Sequence, residues 1–169
     1  MHPFTESVRR ARLRMRTGLL ALCIGLASLL CGVSALAGPL YLATDLNPSG
    51  FVLSTATGVA GEQQVGRGIG PTTSNTLHAL LWSGTAASAV DLNPNGFAFS
   101  VAQGVANGQQ VGYGLVPSTG DNTHDTHALL WSGTAASAVD LNPSGFTSSE
   151  ARGVAGGLQV GLGKRGFNH

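Results

Sequence analysis

His78-Ala79-Leu80-Leu81-Trp82-Ser83-Gly84-Thr85-Ala86-Ala87-Ser88-Ala89-Val90-Asp91-Leu92-Asn93-Pro94 recurs without a change at residues 127–143. A segment of that length is not copied by chance, so the chain holds a duplicated unit, and internal periodicity governs the rest of the reading. The segment runs into Asp91-Leu92-Asn93-Pro94-Asn95-Gly96-Phe97. Close copies stand at Asp45-Leu46-Asn47-Pro48-Ser49-Gly50-Phe51 and Asp140-Leu141-Asn142-Pro143-Ser144-Gly145-Phe146. Three units therefore begin near residues 45, 91 and 140, spaced by 46 and 49 residues, and the sequence covers only part of the third. Gly-Val-Ala follows each Asp at Gly58, Gly104 and Gly153, and Val-Gly-x-Gly follows at Val65, Val111 and Val160. The length difference between the units falls in the polar loop 117–126, while the rest holds register.

Each unit reads as four short strands, expected in the second unit at 97–106, 109–115, 127–131 and 138–142. Asn107-Gly108 suits a type I′ hairpin turn because both residues tolerate positive φ, and Gly61-Glu62 and Gly156-Gly157 occupy the matching place. In the second strand Val111, Tyr113 and Leu115 share one face, and Gly112 and Gly114 the other. A glycine face admits close approach of a neighbour or an aromatic ring. The third strand is apolar on both faces, as a covered central strand requires. In the fourth, Val139 and Leu141 are expected to face inward, with Asp140 and Asn142 outward. Asn142-Pro143-Ser144-Gly145 reads as a β-turn with Pro at its second position. The expected fold is all-β: repeated four-stranded antiparallel units, built like β-propeller blades and preceded by a signal-peptide helix. Propellers close with about 4–8 blades, so this sequence covers an incomplete propeller unless the units form a simple stack or sandwich.

The first residues form a targeting segment. Arg9, Arg10, Arg12, Arg14 and Arg16 are a basic n-region, 19–30 is an apolar run, and Ala35-Leu36-Ala37 offers a small-residue cleavage site. That three-part pattern is a secretory signal peptide, with either Met1 or Met15 as the start. The domains are then 1–37, signal peptide, and 38–169, β-repeat region. The apolar run falls short of the ~20 residues of a spanning helix, so no stable membrane insertion is expected after cleavage. Cys23 and Cys31 both lie in this segment, which leaves the mature chain without disulfides, a Cys nucleophile or Cys-ligated zinc. Five of the nine Lys and Arg and one of the eight acids go with it, so the mature charge is 4 − 7 = −3. No basic patch remains for nucleic acid.

His78 to Trp82 and His127 to Trp131, each followed by Ser-Gly and then Val-Asp-Leu, resemble the HAF-type extracellular repeat. The hallmark of that repeat is His-Ala-Phe-Leu-Trp followed by an Asp-Leu-Gly-like segment. This chain has Leu80 and Leu129 in place of the Phe, and Asn93 and Asn142 in place of the Gly. The resemblance implies an exported bacterial protein of propeller-like build, secreted, extracellular, periplasmic or on the cell surface. It contributes no catalytic residues.

Asp45, Asn47, Asp91, Asn93, Asp140 and Asn142 sit at the start of calcium-loop-like patterns. The twelfth position, which closes an EF-hand with a Glu, is Ala56, Ala102 or Ala151. An Asx turn followed by proline explains the same residues, and no metal site is expected. His78, Trp82, His127 and Trp131 are expected to be structural. His124-Asp125-x-His127 could ligate a metal weakly, and a sugar could stack on the Trp rings, but core packing is the plainer role. No triad, paired carboxylates, phosphate loop or cofactor motif stands out. The expectation is a non-catalytic module for an unknown protein or glycan partner, with edge-to-edge self-association through the last unit. The alternatives are a propeller-scaffold hydrolase and a fragment without independent function.

Overall fold

The DLNPxGF segments fold as turns because of where their glycines stand. In the computed structural model, which describes residues 41–117 and 125–166, Phe51, Phe97 and Phe146 donate their amides to Pro48, Pro94 and Pro143 at 3.2, 3.3 and 3.1 Å. Gly50, Gly96 and Gly145 take φ of 84°, 89° and 81°. Proline is thus the first residue of each turn and glycine the third, as a type II turn requires. The turn lies one residue later than the sequence suggested, because only the glycine tolerates that positive φ.

Three antiparallel sheets follow, within one compact unit spanning Ala43–His169. The first holds β1 (Leu53–Ala60), β2 (Gln63–Ile69), β3 (His78–Trp82) and β4 (Val90–Asp91) in sequential order. The second holds β5 (Phe99–Ala106), β6 (Gln109–Val116), β7 (Asp125–Trp131) and β8 (Val139–Asp140) in the same order. The third pairs β9 (Phe146–Ala155) with β10 (Leu158–Arg165). Asn107 and Gly108 adopt φ of 51° and 76°, so the primed hairpin turn forms as expected. The third strand begins at Asp125, two residues before the expected start at His127.

The first strand of every sheet carries a β-bulge that the alternation of side chains did not announce. The register jumps across Thr57 in β1, Gln103 in β5 and Arg152 in β9. A bulge changes the parity of the strand. That is how Ala102 and Val105, three positions apart, are both buried. The bulge also explains Val-Gly-x-Gly. A Cβ on Gly66, Gly112 or Gly161 would stand 1.9 Å from the carbonyl oxygen of Thr55, Val101 or Glu150. The second glycine of the motif makes room for the turn aromatic: a Cβ on Gly68, Gly114 or Gly163 would meet Phe51, Phe97 or Phe146 at 2.6–2.7 Å.

The sheets meet through one repeated contact. Strand β5 packs on β1, β2 and β3, and β9 packs on β5, β6 and β7. Val65, Ala79 and Leu81, with Leu92 just past β4, pack with Ala102 and Val105, joined by Leu129 and Trp131. One unit on, Val111, Ala128 and Leu130, with Leu141 just past β8, pack with Ala151 and Val154. Buried serines stitch the same seam. Ser100 Oγ accepts the Ala79 amide and Ser149 Oγ the Ala128 amide, both at 3.0 Å. At Gly58 and Gly104 the backbones come so close that a Cβ would meet the carbonyl of Gln103 at 3.0 Å or of Arg152 at 3.2 Å.

The third strand is covered on both sides as expected: Ala79, Leu80 and Trp82 are wholly buried. The fourth strand departs from expectation. It is two residues long, and Val90 and Val139 point outward, 37% and 50% exposed. Leu92 and Leu141 do enter the core. The chain leaves the strand early because Asp91 and Asp140 accept hydrogen bonds from the amides of Asn93 and Asn142, which turns the backbone away.

Candidate functional site

Each four-stranded sheet carries the same surface pocket. In the first, Pro48, Phe51, Leu80, Ala86, Ala87 and Asp91 line a half-open cavity of about 310 Å³. In the second, Pro94, Phe97, Leu129, Ala135, Ala136 and Asp140 line one of about 460 Å³. These six correspond one for one along the repeat, while Ser49 of the first is Asn95 in the second and Thr72 lines the first alone. The turn aromatic, pressed over the glycine of Val-Gly-x-Gly, and a core leucine line the cavity. A 3₁₀ turn, Ala86–Ser88 or Ala135–Ser137, forms one wall. That turn is held by a serine: Ser88 Oγ accepts the Ser83 amide at 2.8 Å and donates to the Thr85 carbonyl at 2.6 Å, and Ser137 repeats both bonds.

The Asp at the pocket edge is fully engaged. Asp91 Oδ1 accepts the Asn93 amide at 2.8 Å, and its Oδ2 pairs with His78 Nδ1 at 2.7 Å. Asp140 does the same with Asn142 and His127, at 2.8 and 2.6 Å. The carboxylate therefore fixes the imidazole orientation and caps the turn at once. Asp45 caps Asn47 in the same way at 2.8 Å. Asn47, Asn93 and Asn142 each donate a side-chain amide to the turn Phe carbonyl, at 3.3, 3.3 and 3.1 Å. The six calcium candidates are thus all employed in Asx turns. Among the described residues, no three His, Cys, Asp or Glu side chains cluster as a metal-binding group.

Thr76 Oγ1, His78 Nε2, His78 Nδ1 and Asp91 Oδ2 lie in a row, with contacts of 3.1 and 2.7 Å. The order imitates a nucleophile–base–acid relay. However, Thr76 Oγ1 donates to the Thr73 carbonyl at 2.7 Å, so its proton does not point at the imidazole. In the second unit the His127 Nε2 neighbour is the Asn142 amide at 3.4 Å instead. The row ties Thr76, in the loop before β3, to His78 and Asp91.

Trp82 and Trp131 are wholly buried, so neither ring can stack on a ligand. Gly58 and Gly104 face the next sheet across a seam, whereas a Cβ on Gly153 would meet only Val160 of its own hairpin. Two further residues escaped the sequence reading. Gln64 and Gln110 each accept an amide from the Ser-Gly turn, Gly84 or Gly133, at 2.8 Å. Each donates to its own hairpin turn as well. Their signal was available: a Gln precedes the Val of every Val-Gly-x-Gly, Gln159 included.

No family model, no curated protein and no solved structure matches the chain.

His124, both cysteines and the targeting segment lie outside the described residues, and Asp125 lies on β7. Among the described residues no helix is long and apolar enough to cross a membrane.

Proposed function

We propose that the chain is an exported, non-catalytic binding module whose units are propeller-like blades, each presenting one pocket to a protein or glycan partner. The observation that carries this reading is the recurrence of a pocket at the same place in two successive units, with seven of its lining residues shared. An enzyme needs polar groups that differ between units and converge on one place. Here the two units repeat most of one mixed polar and apolar lining, differing at Ser49 against Asn95 and by Thr72 in the first, and the repeated carboxylate is already engaged by His and backbone. Repeated pockets on one scaffold favour a repetitive partner. Linking two weak sites raises overall binding by ~10²–10⁴ over either alone. The resemblance to HAF-type repeats and the signal-peptide pattern support an exported location.

The test is a panel of immobilised glycans and peptides probed with the wild-type chain and with Ala87→Arg, Ala136→Arg and the double variant. Both alanines are exposed at the pockets, so the substitutions block them without entering the core. The expected result is a large loss of apparent affinity for either single variant and no binding for the double. Retained binding by the double variant, or turnover of any panel member, would overturn the reading.

A further inference from the structure

Val65, Val111 and Val160 hold the same place in three units, yet Val65 and Val111 are wholly buried while Val160 is 68% exposed. The cause is plain in the fold. Val65 is covered by β5 and Val111 by β9, each the first strand of the next unit. The counterpart at the other end is Val59. Its equivalent Val105 is 8% exposed, because it packs on the first unit, whereas Val59 itself is 71% exposed. The β9–β10 sheet thus shows the face that receives a first strand, and β1 shows the face that inserts.

We propose that these two faces bind each other between molecules, so that β1 of a second copy docks on β9–β10, head to tail. The occupant is specified by the two internal seams, in which the same inserting strand covers the first three strands of the preceding sheet each time; β9–β10 presents the first two of those three. The details match. Gly58 and Gly104 lie against the bulge carbonyls of Gln103 and Arg152, and Gly153 has only its own Val160 nearby. The bulge residue of an incoming β1 is Thr57, whose carbonyl would take that place. Exposed Ala56 and Val59 would take the positions that Ala102 and Val105 hold on the first unit. Such a contact is heterologous, uses different faces on the two partners, and leaves a free end on each side. It differs from pairing along the open edge of β10, which would join like edges through backbone hydrogen bonds.

Light scattering and sedimentation velocity on the full chain test the idea. Val59→Asp removes the inserting face and Val160→Asp the receiving face. Both sites are exposed, so folding is expected to survive each change, and circular dichroism checks it. The wild type is expected to grow beyond the dimer as concentration rises, and each variant alone to stay monomeric. An equimolar mixture should form a complex of two chains and nothing larger, since each partner retains one functional face. Gly153→Ala should weaken assembly several-fold with the fold intact. A wild type that stays monomeric throughout would overturn the proposal. So would a Val59→Asp chain that assembles like the wild type, which would point to pairing along β10, or variants that ignore each other when mixed.

Discussion

Gly112 has no room for a methyl group. Its Cβ would stand 1.9 Å from the Val101 carbonyl and 2.9 Å from the Ala102 Cα, and both are backbone atoms fixed by the bulge. Relief requires the bulge itself to shift, so Gly112→Ala is expected to cost about 3 kcal/mol or more, at the upper end of overpacking. Gly153→Ala meets only a valine methyl at 3.2 Å, at a place where a side chain also stiffens the unfolded strand, and is expected to stay within about 1 kcal/mol of wild type. Denaturant melts of the two variants make the comparison, and equal costs would mean that the bulge does not hold the glycine. Calcium binding is also argued at single residues. Asp91 and Asp140 already spend both carboxylate oxygens on an amide and an imidazole. Calcium would have to displace both partners, and no bidentate Glu closes the loop. Calorimetric titration with calcium is therefore expected to show no stoichiometric heat at micromolar concentration.

The second strand of each unit shows how one element acquires different weights along the repeat. Val111 on β6 is buried under β9, so Val111→Ala removes two methyl groups from a packed seam, at an expected cost of about 2 kcal/mol. Val160 on β10 occupies the same position in the open, and Val160→Ala at low protein concentration is expected to change stability by less than about 0.5 kcal/mol. Thermal melts at equal concentration compare them. Strand order, hairpin turns and the covered third strand were legible in the sequence because turn residues and alternation are local signals. So was the glycine motif, whose room for an aromatic ring proved to be filled by the turn Phe. The bulge was not legible, because one extra residue changes strand parity without changing composition. The short fourth strand was missed for a related reason: its apparent alternation, Val139 and Leu141 against Asp140 and Asn142, continues through an Asx turn that ends the strand after two residues. The pocket could not be read either. It joins a turn, a core leucine and a 3₁₀ turn that meet only once the sheet is folded, although the exact recurrence of the segment 78–94 already required that any such site be duplicated.

At the scale of the whole molecule, stability comes from neighbours. A repeat unit contributes its own term and the terms of its seams, so a unit with two seams is held better than a unit with one. The second sheet lies in both seams, facing the first through Ala102 and Val105, and the third through Val111, Ala128 and Leu130. The β9–β10 hairpin has one described seam, and Leu158, Val160 and Leu162 are 74%, 68% and 45% exposed on its far face. The proposed export would set the form in which this balance operates: the basic, apolar and small-residue pattern predicts that the exported chain begins at Gly38, which N-terminal sequencing checks. In that chain the hairpin should open at a lower free energy than the central sheet, by local unfolding rather than by a global transition. Native-state hydrogen exchange resolves the two. Amides of β6, paired on both sides by β5 and β7, are expected to exchange only with global unfolding. Amides of β10 that face away from β9 should exchange fastest, and those paired to β9 at an intermediate rate. Raising the protein concentration should then slow exchange across β9 and β10 before it affects β6, if a second copy covers that face. Uniform protection across all three sheets would mean that the units fold as one block, and that the hairpin needs no neighbour beyond the one it has.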